Sequence, residues 1–156
     1  MSAFSGVQGG INCTHILALV PASQKGAYHN QKGDILQNIL ADCSLVMYFF
    51  YVCTGWEGLA NDARIFENAK WKGFSREGNA IYPGDPGYGL RRGFLIAYDT
   101  VRYHLREQSL AHLRPQTKEK LFNLWHSQLE NVVARIFGVL RCQFQIVNSR
   151  PEYHLN

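Results

Sequence analysis

Two residues carry the first hint of chemistry. Asn12 lies in the stretch GGINCTHILALV, residues 9–20, where a glycine pair and a short polar run lead into an apolar strand pattern. A metal-binding enzyme would want a carboxylate at such a place, and Asn12 offers only a neutral amide oxygen. Asp85 sits among Gly84, Pro86, Gly87 and Gly89. Those glycines either shape a sharp turn or let the backbone expose a carboxylate. Other candidates are two-sided. Cys13 and His15 occupy alternate strand positions, as a metal pair or as packed residues. Asp62 belongs to a site or to the first turn of a helix, where negative charge is favoured. Arg91, Arg92, Arg102 and Arg106 suit phosphates or a solvated basic face. Trp56, Trp71 and Trp125 suit base stacking or core packing, and Trp125 falls on an apolar helix stripe. No Ser-His-Asp or Cys-His arrangement is readable. DPGYGL, residues 85–90, is no phosphate loop, because no Lys-Ser/Thr follows its glycines.

The elements that must position these residues read in the order β-β-β-α-β-(β)-α. INCTHILALVP is a strand closed by Pro21. ILQNILADC and LVMYFFYVCTG are two more, rich in β-branched and aromatic residues, with the junction expected at Asp42-Cys43-Ser44. Leu59, Ala63, Phe66 and Ala69 recur at helical spacing. NAIYPGDPGYG is a short strand entering a turn, and Phe94–Tyr98 is strand-like. The clearest helix runs through residues 114–144, capped by Thr117 after Pro115. Its stripe is Leu121, Trp125, Leu129, Val132, Ile136 and Leu140. A right-handed crossover after the meander sets the fourth strand parallel beside the first, and that brings Asp85 near Asn12.

Length and composition bound the answer. The 156 residues suit one domain, expected over residues 1–146, with a polar, loose tail at 147–156. The apolar fraction is 46% and the charged fraction 18%, as in a globular chain. No run approaches the ~18 apolar residues of a membrane span, and MSAFSGVQGG reads as no signal peptide. A net charge of +4 permits an anionic partner without demanding one. Cys13, Cys43, Cys53 and Cys142 share no zinc-type spacing and are expected as free, buried thiols in a reducing compartment.

Six motifs, in order, resemble the DDE nuclease domain of Harbinger-type (PIF-type) transposases and their domesticated relatives. GGINCTHI (9–16) is similar to the family's GAIDGTHI. YHNQKGDILQNIL (28–40) is similar to its Y-x-N-x-K-G-x-x-S-Q-N-V-L. GWEGLANDARI (55–65) matches GWPGSAHDSRV, and DPGYGL (85–90) matches DAGYPL. RYHL (102–105) is kept, and NVVARIFGVLRCQF (131–144) follows N-V-I-E-R-x-F-G-V-L-K-x-R-F. The resemblance implies an RNase H-like α/β fold: a mixed sheet with an antiparallel three-strand meander, parallel strands and flanking helices. It also implies two Mg²⁺ or Mn²⁺ ions held by three carboxylates, hard cations on anionic oxygen, cutting DNA phosphodiesters. Nuclear localisation follows from the same resemblance. So does a partner chain that supplies the DNA-binding domain.

The chain departs from that pattern at two of the three ligand positions. The family's first Asp is Asn12, its second is kept as Asp85, and its Glu is Ala134. Each lost carboxylate removes several kcal/mol of attraction for a dication, even at an effective dielectric near ~20. The expectation is a transposase-derived, DNA-acting or DNA-binding domain with impaired catalysis. The alternatives are an active endonuclease using Asp85 with Asp62 and Glu130, one helical turn before Ala134, or a domesticated protein-binding scaffold.

Overall fold

A computed structural model of the chain describes Val7 and residues 9–30, 32–75, 81–99, 101 and 115–153. Arg102 and Arg106 lie outside these described residues, as does the RYHL motif. The first three strands are β1 (Gly9–Leu17), β2 (Leu36–Ser44) and β3 (Phe49–Glu57), an antiparallel meander in the order β1-β2-β3. Gly9 faces Ser44 and Leu17 faces Leu36 across the first pair. Side chains alternate between the faces of a strand. Ile11 and Cys13 therefore point to one side of the sheet, and Gly10, Asn12 and Thr14 to the other. Between β1 and β2 lies one helical turn, α1 (Lys25–Tyr28). Asn30 closes the loop that follows by accepting the backbone N–H groups of Lys32 and Asp34.

The β2–β3 turn is not at Asp42-Cys43-Ser44, which lie inside β2. The chain reverses over Leu45–Tyr48. Tyr48 N–H donates to Ser44 Oγ at 3.0 Å, Ser44 N–H donates to the Tyr48 carbonyl, and Met47 takes a φ of 70°. A side-chain acceptor at Ser44 does what Gly or Asn does in commoner turns, so an apolar tip reverses the chain.

Helix α2 (Asp62–Trp71) is capped by Asn61, whose side chain accepts from Ala63 N–H. It buries Ile65, Phe66 and Ala69, while Leu59 precedes it and is exposed. Strands β4 (Tyr82–Pro83) and β5 (Phe94–Leu95) form a separate parallel pair. The expected parallel neighbour of β1 is thus reduced to one parallel bridge, Val7–Ile81, just before β1 begins. Helix α3 (Lys118–Gln143) starts at Thr117, whose Oγ1 accepts Lys120 N–H. A short 3-10 turn, Gln145–Asn148, follows it and runs two residues into the tail expected at 147–156.

The buried face of α3 is Asn123, His126, Val133, Ile136 and Phe137, about one position off the apolar stripe. Polar groups cause the offset. Asn123 Oδ1 accepts Tyr98 N–H, and its Nδ2 donates to the carbonyls of Tyr98 and Val101. His126 Nε2 donates to Leu95 O at 2.8 Å. The first half of α3 is therefore hydrogen-bonded to the chain leaving β5. The second half packs on β1, which requires Gly10: a Cβ there would lie 2.3 Å from Val133 Cγ2. At its end, Arg141 donates to Thr14 Oγ1 and to His15 O, both at 2.7 Å.

The two faces of the sheet are packed differently. Beneath α2, Ile11, Leu40, Cys53, Ile65, Phe66, Tyr82, Tyr88 and Phe94 form one core. Phe66 meets Phe94 edge-on at 5.0 Å, and Tyr88 stacks on Phe94 at 5.2 Å. Beneath α3 the cluster is smaller: Ala41, Cys43, Val133, Ile136 and Phe137. The four cysteines are free, but Cys142 is exposed and Cys13 half-buried, against the expectation of four buried thiols.

Candidate functional site

Asn12, Asp85 and Ala134 come from β1, from the turn after β4 and from α3, and they line one cleft of about 230 Å³. Ile11, Pro83, Glu130, Asn131 and Val133 complete its walls. Each position has a local cause. Asn12 points to the α3 side of the sheet by strand alternation. Asp85 caps the 3-10 turn Pro86–Tyr88: its Oδ1 accepts Gly87 N–H at 2.7 Å, and Tyr88 anchors the turn in the core at 1% exposure. Ala134 follows Val133, which packs against Gly10, so α3 sets it at the edge of β1.

The oxygen inventory is thin. Asn12 Oδ1 accepts the backbone N–H of Cys13 at 2.8 Å, so it is committed to its own strand. Asp85 is an exposed carboxylate with one oxygen in its cap. Ala134 has no donor atom. Among the described residues, no group of three His, Cys, Asp or Glu side chains is placed to hold a metal. One free carboxylate, a committed amide and a methyl group do not fit a pair of hard divalent cations, which need anionic oxygens to bridge them.

Glu130 is the second carboxylate in the cleft. Its Oε2 lies 3.5 Å from His126 Nδ1. Because His126 Nε2 donates to Leu95 O, Nδ1 of the neutral ring faces a carboxylate as a bare acceptor. Burial pushes the ring's pKa down. Glu130, through hydrogen bonding and charge, more than reverses this with help from backbone acceptors at Leu95 and Gly84, and the net shift is upward.

The other candidates lie elsewhere. Asp62 is not in the cleft: its Oδ1 accepts from Asn38 Nδ2 at 3.1 Å, at the start of α2. Cys13 and His15 do not form a metal pair. Cys13 Sγ meets Tyr88 OH at 3.5 Å, and His15 Nε2 donates to Gly58 O at 2.7 Å. Burial pushes the Cys13 thiol far above its ordinary range, and the Tyr88 hydroxyl likewise, so both stay protonated at neutral pH. Arg91 is paired with Glu67 and lies over the Phe66 ring, whereas Arg92 is exposed. Trp71 is almost bare at 88% exposure, and Arg64 lies over Trp56. Sequence reasoning missed Asn123 and His126, which position α3. Their signal was the run 123, 126, 130, 133, 137 at steps of three and four, hidden because its first three members are polar.

Comparison with known proteins gives the family of the chain. The model of the DDE superfamily endonuclease family matches residues 11–156, and the chain belongs to that family. It is similar to the protein named "Putative nuclease HARBI1" of Rattus norvegicus, with 22% identity over 149 residues. The Homo sapiens protein of the same name is 21% identical over 152 residues. These matches cover 96% of this chain, but the chain spans only about 40% of the length of either relative. The Harbinger-type resemblance is thereby shown. No solved structure matches the chain. No helix among the described residues is long and apolar enough to cross a membrane.

Proposed function

We propose that this chain is a transposase-derived, RNase H-like DDE endonuclease domain that binds DNA in the nucleus and has lost most or all of its cleavage activity. The observation that supports the reading is a cleft lined by Asn12, Asp85 and Ala134, the positions that the resemblance sets against the family's three ligands. On this reading the outline of a nuclease centre is kept while two of its three charges are gone. DNA contact would fall to exposed cations such as Arg92, since Arg91 is engaged with Glu67. A partner chain with a DNA-binding domain would assist in selecting a target.

A second reading rests on Glu130, which lines the same cleft. Asp85 and Glu130 would then hold one cation with the amide oxygen of Asn12, and cleavage would survive at a reduced rate. Asp62 takes no part, since it lies outside the cleft.

Nicking of supercoiled plasmid in Mg²⁺ and in Mn²⁺ separates the two. The wild type is expected to leave the plasmid intact, and Asn12→Asp with Ala134→Glu to nick it. Wild-type nicking abolished by Asp85→Ala and by Glu130→Gln would replace the first reading with the second. Binding is read separately as duplex affinity against salt. A steep loss of affinity with rising salt is expected, and no binding at low salt would remove DNA from the proposal.

A further inference from the structure

The α3 side of the sheet is only partly covered. One helix spans β1 and β2, and β3 is left as an edge. No strand among the described residues pairs with its outer side. The turn and the strand together are apolar: Val46 is 73% exposed, Tyr48 70%, Phe50 58% and Val52 50%, with Leu45, Met47 and Phe49 also exposed. At about 200 Å² for a bare side chain of this size, these seven residues offer on the order of 700 Å². That exceeds the ~300–600 Å² patch of an ordinary monomer. It matches the ~800 Å² that each partner contributes to a stable interface.

Edge strands in monomers are usually blunted by charge or proline. Here no Asp, Glu, Lys, Arg or Pro occurs from Cys43 to Trp56. Beside the strand, Ile39, Ala41, Phe49, Val52, Phe137 and Leu140 line an apolar groove of about 290 Å³.

We propose that a second copy of this chain covers this surface, the two β3 strands pairing antiparallel about a two-fold axis into one six-stranded sheet. Antiparallel pairing satisfies the outer backbone groups of both edges at once, and a two-fold axis closes the assembly at two copies. The patch is neutral in a chain of net charge +4, so joining identical surfaces sets no like charges together. The groove takes an apolar side chain from the second copy. This inference is independent of any nuclease activity.

The test is the mass of the chain in solution, by light scattering or sedimentation across the micromolar range. The wild type is expected at twice its 17.8 kDa. Val52→Lys, which places a charge on the shared edge, is expected to weaken the dimer on the order of a hundredfold. Tyr48→Ser at the turn leaves the strand pairing alone and is expected to weaken it on the order of tenfold. Amide exchange in residues 49–57 should slow as concentration rises. If Val52→Lys does not fold, Tyr48→Ser and the exchange data decide. A wild type that stays monomeric overturns the proposal, whether another protein or further chain covers the patch. So does a dimer indifferent to both substitutions.

Discussion

The two faces of the three-stranded sheet answer to different demands. On the α2 side, Phe66, Tyr88 and Phe94 interlock with Ile11 and Leu40, and little is left open. On the α3 side, contact is made by smaller residues around Gly10 and Val133, with a polar cleft at one edge and an apolar groove at the other. The first face holds the fold together, and the second presents surface. Changes at Asn12 and Ala134 fall on the second face, where an exposed methyl group or a self-bonded amide disturbs no packing. Side chains at these two positions can therefore be exchanged without loss of the architecture around them.

Substitutions can break or sharpen this contrast. The largest effect is expected on the α2 side: Phe66→Ala should destabilise by about 3–5 kcal/mol in urea unfolding, whereas Asp85→Ala should lose only its cap, about 1 kcal/mol. Comparable losses at the two positions would erase the distinction. Next is the close approach beneath α3. Gly10→Ala should lose about 1–3 kcal/mol through overpacking. Much of that loss should return when Val133→Ala is added, a coupling that a double-mutant cycle measures.

A smaller effect belongs to His126. Its pKa is raised in the folded chain, so its contribution to stability is complete below the unfolded value and is lost as pH rises through the folded one. Unfolding free energy followed upward from pH 6 should show this decline, and Glu130→Gln should flatten it. The smallest effect is expected for Asn12→Asp with Ala134→Glu. Without metal it should lower stability by less than about 1 kcal/mol, through carboxylate repulsion at an exposed site. Mn²⁺ should raise the melting temperature of this variant and leave that of the wild type unchanged.

Much of this was legible in the sequence, for reasons that differ by region. The order of elements followed from period and breakers, and the Thr117 cap from its place before a long apolar stripe. That Asp85 lies near Asn12 followed from the crossover, and that Ala134 joins them from the family resemblance. Three features were not legible. The Leu45–Tyr48 turn is apolar because Ser44 supplies its polar contact and Met47 adopts a left-handed backbone, so no glycine or asparagine marks it. The buried face of α3 was misplaced because Asn123 and His126 bury polar side chains against backbone groups, which hydrophobic periodicity cannot register. Asp62 was indistinguishable from a site residue, because the carboxylate that helps start a helix is chemically the one that binds a cation.

Arg141 and Asn123 together have a further meaning. One fastens the end of α3 to β1, and the other fastens its beginning to the segment after β5. Residue 134 lies between these two anchors, so its position is inherited from bonds that no metal makes. The cleft is therefore a frame whose dimensions do not depend on what occupies it. Side chains in such a frame can be exchanged alone, with no strand or helix relearning its place. The cleft keeps its outline for as long as those two fastenings hold.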